Sequence, residues 1–255
     1  MDDEETPTLS CTAISALQEF YAERTAREET FQKLKHEAEV AADSVDILSM
    51  DLFVESWQDS QFWYSEETAN ILATALLGDA DEKETVAMVS APSAYVMARR
   101  ILKQSGRPKD KWPRLLLLEY DIRFEIFKDD FIFYDYNKPL SLPPWLKGAV
   151  DHIICDPPFL SDDCQTKAAM TVRWISKCHK KDSEWEVENS RLIVCTGERM
   201  ENAILKLYQQ QSIARTSLEP VHSKQQLSNE FLCFANFESD FWALKRKPLQ
   251  KKDDV

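Results

Sequence analysis

Seven short apolar runs constrain this chain more than any other feature: "TVAMVSAP", "RLLLLEYD", "DFIFYDYN", "VDHIICDPP", "SRLIVCTG", "QSIARTSLEP" and "EFLCFANFES" follow one another, separated by polar or helix-periodic stretches. The first, second, fourth and fifth are nearly continuous in apolar residues, as strands covered on both faces are, whereas the last two face each other across a loop and suit an antiparallel edge pair. Strands that alternate with helices require crossovers, and crossovers give a parallel sheet. The pattern predicts an α/β fold with a doubly wound, mostly parallel seven-stranded sheet.

The intervening helices are legible from spacing and caps. Ser65 with Glu66 and Glu67 opens a helix to Leu77 whose apolar face is Ala69, Leu72, Ala73, Leu76 and Leu77. Others are expected at Tyr95 to Lys103, at Asp162 to Lys177 after a Ser161 or Asp162 cap, and at Glu198 to Gln211. Two hydrophilic stretches, 103–113 and 178–189, carry no sustained period and read as surface insertions.

Ahead of the sheet lies an acidic segment. Ser10 can cap a helix in which Ile14, Leu17, Phe20 and Tyr21 recur at helical spacing, and a polar stretch then leads to the core. The expected organisation is an N-terminal helical extension and connector over 1–56, the main domain over 57–244 and a basic tail over 245–255. Six scattered cysteines without a CxxC pair, and no opening signal segment, point to reduced thiols in a cytosolic or nuclear protein, and the cytoplasm is the expected location. No apolar run reaches the roughly 18 residues that span a bilayer, so no membrane partner is expected.

In open α/β sheets ligands bind beyond the carboxyl ends of the strands. Those ends carry "SAPS", then Glu119 and Asp121, then Asp135, then Asp156. A single acid there is commonly a cap or turn residue, but acids at successive strand ends form a rim. Such a rim suits a cationic or hydroxyl-rich ligand better than a pyrophosphate, and neither GxGxxG nor GxxxxGK[ST] occurs. S-adenosylmethionine fits, with a positive sulfonium and two ribose hydroxyls for an acid to hold.

"VDHIICDPPFLS" supplies a buried strand that ends in Asp156. Pro157 and Pro158 cannot extend a ladder and they stiffen the backbone, so a carboxylate and a carbonyl are fixed in space. Fixed acceptors can hold an amine by its hydrogens with the lone pair aimed at a methyl group, and Phe159 adds a flat face beside it. The tetrapeptide therefore points to amine methylation without distinguishing adenine from lysine.

[D/N]PP[F/Y/W] after the fourth strand of such a sheet resembles the motif of class I methyltransferases acting on adenine, glutamine or lysine nitrogens. Taken in order, "LQEFYAE", "QFWYSEETA", "VSAPSAY", "EYDIRF", "FIFYDYN", "DPPFLSDDC", "CTG" and "NEF" resemble the elongation factor 1-alpha lysine methyltransferase family over most of the chain. The resemblance implies that Ser90, Ala91, Pro92 and Ser93 stand where related enzymes have a glycine-rich cofactor loop, that Glu119 and Asp121 hold the ribose, and that Asp135 lies near the adenine. It assigns Asp156, Pro157, Pro158 and Phe159 to the target amine. Gln61 to Ser65 would close over cofactor or substrate, with Trp63 and Tyr64 among the cofactor-binding residues; the alternative is an aromatic staple. Elongation factor 1-alpha is then the expected partner.

A formal net charge of −13 disfavours nucleic acid, which is bound through Lys and Arg that displace counterions. The four histidines share no metal-ligand spacing, so no metal is expected. The adenine enzyme remains the alternative activity, and a non-catalytic binding module lacking the usual glycines is the alternative from another class.

Overall fold

A computed structural model describes residues 61–177, 190–224 and 230–245, with Met50, Phe53, Glu55, a small strand pair near 180–185 and scattered positions from Ser15 to Lys33. The chain divides into two units, Met1–Asp46 and Ile47–Val255. In the first, the described positions are helical and exposed. Ile14, Leu17 and Phe20, most of the 178–189 stretch and the tail beyond Lys245 lie outside the described residues.

The second unit is built on one large sheet. Its elements are α1 (Glu66–Leu77), β1 (Thr85–Val89), α2 (Pro92–Gln104), β2 (Arg114–Glu119), β3 (Phe131–Phe133), β4 (His152–Cys155), α3 (Asp162–Ile175), β5 (Lys180–Lys181), β6 (Glu184–Trp185), β7 (Arg191–Gly197), α4 (Glu201–Leu207), β8 (Ala214–Thr216), β9 (Phe231–Ala235) and β10 (Leu244–Lys245). The strand order is β10-β8-β9-β7-β4-β1-β2-β3, and β5 and β6 form a separate two-stranded sheet. β3, β2, β1, β4 and β7 run parallel. β9 is antiparallel to both β7 and β8, and β10 is antiparallel to β8. All seven expected runs are strands of this sheet; β10 adds a two-residue edge.

Burial follows the run pattern. Val86 to Val89, Leu116 to Leu118 and Ile154 to Cys155 have no measurable exposure, because helices cover both faces. Ser65 caps α1 by accepting from the Thr68 N–H, and Ser161 caps α3 by accepting from the Cys164 N–H. The expected helix from Glu198 to Gln211 is instead broken: a 3-10 turn at Glu198–Met200, then α4, then a second 3-10 turn at Gln209–Gln211. The glutamine run continues no apolar stripe, so the chain tightens rather than extending the helix.

Register places the strand ends level with one another. Val89 is the partner of both Leu118 and Cys155, so Ser90, Glu119 and Asp156 leave three adjacent strands at one height. The 103–113 stretch runs from the end of α2 to the start of β2, at the opposite, amino edge of the parallel strands. There Arg107 donates to the Ala80 and Lys111 carbonyls, and Trp112 donates to the Arg107 carbonyl.

Candidate active site

A cavity of about 550 Å³ opens beyond the carboxyl ends of β1, β2, β3 and β4. It is lined by Ser90, Ala91, Pro92 and Ser93 from the β1–α2 turn, Glu119 from β2, Asp135 after β3, and Asp156, Pro157, Pro158 and Phe159 after β4. Trp63 and Tyr64 line it from the segment before α1. Its position is the one strand-end geometry favours for ligands.

The β1–α2 turn achieves without glycine what glycine usually permits. Ser90 adopts a left-handed backbone, φ 53°, and its N–H donates to the Leu118 carbonyl at 2.9 Å. Ala91 and Pro92 then start α2 directly, bringing backbone to the cavity wall.

Glu119 is buried, with 6% of its surface exposed, and one carboxylate oxygen accepts from the Tyr120 and Asp121 N–H groups. Burial pushes its carboxyl up to about 7, against those two backbone bonds. Asp121 does not line the cavity. Its carboxylate is held by the Arg123 guanidinium and receives the Gln61 amide at 3.2 Å; Gln61 itself is a lining residue. Asp135 accepts from the Asn137 N–H at 2.9 Å and forms the turn that follows β3.

Asp156 projects from a rigid corner. Its N–H donates to the Val89 carbonyl at 3.0 Å, and its carboxylate accepts the Tyr64 hydroxyl at 2.5 Å. Burial raises its carboxyl to about 7, opposed by that hydroxyl. The loop after it is clamped from behind: Gln165 donates to the Phe159 carbonyl at 3.0 Å and to Thr196 at 3.1 Å, and Arg199 donates to the Leu160 carbonyl at 2.6 Å. The Phe159 ring lies 5.6 Å from that of Tyr136.

Residues 61–65 pair with a distant segment. Tyr64 and His222 form an antiparallel bridge, the Ser65 N–H donates to the Val221 carbonyl, and the Ser223 N–H donates to the Trp63 carbonyl. Within this segment the two aromatic side chains make different contacts. Trp63 is an aromatic staple, its ring edge-on to Phe124 at 6.1 Å and its indole N–H on the Phe53 carbonyl at 2.7 Å. Tyr64 reaches across to Asp156.

A family model described as "Probable N6-adenine methyltransferase" matches residues 55–239. The chain belongs to this methyltransferase family. Protein-lysine N-methyltransferase EFM5 of Saccharomyces cerevisiae is 44% identical over 241 residues, covering 92% of this chain and 94% of that protein. EEF1A lysine methyltransferase 1 of Homo sapiens is 35% identical over 240 residues, covering 94% and 96%. The protein of the same name from Gallus gallus is 36% identical over 241 residues, covering 93% and 97%.

For a methyltransferase of this family, sequence reasoning missed part of the lining. Tyr134, Tyr136 and Asn137 follow β3 in the quoted "FIFYDYN", and their place beside Asp135 was the available signal. His222 and Phe231 come from the far end of the chain, the first brought in by the bridge to Tyr64 and the second by the pairing of β9 with β7. Burial pushes the His222 imidazole down to about 4, so it is neutral at physiological pH, with its ring 4.4 Å from Phe231 and 5.2 Å from Tyr64. Among the described residues no group of three or more His, Cys, Asp or Glu is arranged to hold a metal, and no helix is long and apolar enough to cross a membrane.

Proposed function

We propose that this chain methylates a lysine side chain of translation elongation factor 1-alpha, using S-adenosylmethionine. The reading is carried by the charge of the cavity lining. Asp156 and Glu119 face a space whose basic members among the described residues are Arg199 and a neutral His222. That suits an ammonium and a sulfonium and offers no basic track for a nucleic-acid strand, which a base-flipping adenine enzyme would need. The names of the relatives agree with it.

The residues present fit the cofactor. Glu119 is a buried acceptor at the end of β2, suited to ribose hydroxyls, while the glycine-free turn at Ser90 brings α2 backbone to the wall and Asp135 stands nearby. Asp121 would act indirectly, by fixing Gln61. When bound, S-adenosylmethionine supplies an electrophilic methyl group. The Asp156 carboxylate and the Pro157 carbonyl would hold the amine by its hydrogens, so that its lone pair points into the cavity. Phe159 and Tyr136 present faces to the alkyl chain, and the closed surroundings favour the uncharged amine that can attack. An elongation-factor substrate puts the reaction in the cytoplasm.

The test offers methyl-labelled cofactor with purified elongation factor 1-alpha and, separately, with total cellular nucleic acid. Label located on a lysine by mass spectrometry, and lost with Asp156→Ala, is the expected result. Label entering nucleic acid alone would overturn the assignment.

A further inference from the structure

Asp156 occupies an unusual local position for an acid. An aspartate at a strand end normally takes backbone N–H groups two or three residues on. Here the next two residues are Pro157 and Pro158, which have no N–H, and the Phe159 N–H is directed at the Cys164 sulfur. The chain beside Asp156 therefore cannot satisfy its carboxylate. Among the described residues, the one side chain recorded as donating to it is Tyr64, 92 residues earlier.

We propose that Tyr64 is a positioning residue: its hydroxyl holds Oδ2 of Asp156 and leaves Oδ1 to accept the target amine. The tyrosine is itself anchored at several points. Its N–H lies 3.3 Å from the Ser93 hydroxyl, its backbone bridges His222, its ring lies 5.2 Å from that imidazole, and the residue is buried. Asp156 is anchored independently, through Val89 on β1. Two rigid elements thus meet in one bond at the site. The donor also opposes the burial that raises the Asp156 carboxyl.

The other titratable groups around Asp156 are Glu119 from β2, Cys155 from β4 and Cys195 from β7, and His222 lies against the Tyr64 ring. Burial holds the Cys155 thiol protonated, and hydrogen bonding with Cys233 together with burial does the same for Cys195. His222 is already neutral above about pH 4, which leaves Glu119, at about 7, as the group that titrates alongside Asp156.

The proposal rests on Asp156 being the amine acceptor, so its test has one arm that needs no substrate. Carboxyl carbons of labelled Asp and Glu are titrated by NMR in the full chain, with Asp156→Asn and Glu119→Gln assigning the two signals. In Tyr64→Phe the Asp156 midpoint should rise by about one pH unit, the size expected for losing a hydrogen bond to a charged group. Incorporating 3-fluorotyrosine at position 64 keeps the ring, strengthens the donor and should lower the midpoint. Unmoved midpoints in these variants overturn the proposal. In the second arm, the acid limb of kcat/KM in Tyr64→Phe should move up with the NMR midpoint while cofactor Kd changes less than about twofold. A pH-independent fall in activity would reduce Tyr64 to a structural contact and also overturn it. If elongation factor 1-alpha is not methylated but the midpoints move, the substrate assignment fails and the hold of Tyr64 on Asp156 stands.

Discussion

Asp156 and Glu119 are both raised to about 7 by burial, and this has a consequence for stability as well as for chemistry. A carboxyl whose folded value lies above its unfolded value, near 4, favours the fold most below pH 4; that advantage is lost progressively as pH rises through 7. Asp156→Asn removes the titration and keeps the shape. In the cofactor-free protein it should therefore raise Tm at pH 8 by about 2–6 °C, corresponding to about 1–2 kcal/mol once the opening of the cavity to water is allowed for. By calorimetry the gain should shrink towards zero at pH 4.5; a gain equal at both values would mean that burial of the charge is not its cause. At this scale the sequence was informative where function is local. "DPPF" can be read in place, because a strand end, an acid and two prolines are contiguous. Tyr64 could not be placed at Asp156, nor His222 and Phe231 at the cavity, because the contacts that bring them there are long-range. Asp121 shows the converse: its strand-end position is as expected, but Arg123, two residues on, takes its carboxylate.

At the scale of elements, the β1–α2 turn was the place where the family resemblance and the residues disagreed, since "SAPS" contains no glycine. The backbone resolves this by putting Ser90 itself in the left-handed region, at φ 53°. That conformation costs a residue with a Cβ about 1 kcal/mol relative to glycine, and more when the side chain is β-branched. Ser90→Gly should thus raise stability by about 0.5–1 kcal/mol in denaturant unfolding, and Ser90→Val should lower it by about 1–2 kcal/mol. Equal stabilities for the two variants would show that the turn is not strained. The strands and α1, α2 and α3 were legible because each has either a continuous apolar run or a capped apolar face. The stretch from Glu198 to Gln211 was not, because its helical period is real over α4 and fails at the glutamines. β10 was also invisible, since two residues carry no period.

For the whole molecule, the net charge of −13 is uneven along the chain: 15 Asp and Glu against 4 Lys and Arg fall within residues 1–60, and the rest of the chain is close to neutral. If the target lysine sits in a cationic surface, long-range attraction raises the encounter rate and strengthens docking, whereas cofactor binding depends on short contacts inside the cavity. The two should separate with ionic strength, because the screening length falls from about 10 Å at 0.1 M salt to about 3 Å at 1 M. Raising salt across this range should increase KM for elongation factor 1-alpha by about tenfold and leave cofactor Kd within about twofold. Steady-state kinetics with varied protein substrate, paired with cofactor titration at each salt, separates the two effects. A KM that stays constant across the series would mean that docking is governed by apolar contacts, such as those offered by the half-exposed rings of Tyr120, which lines the cavity, and Phe133, tilted against it at 5.5 Å, and that the acidic balance serves solubility instead.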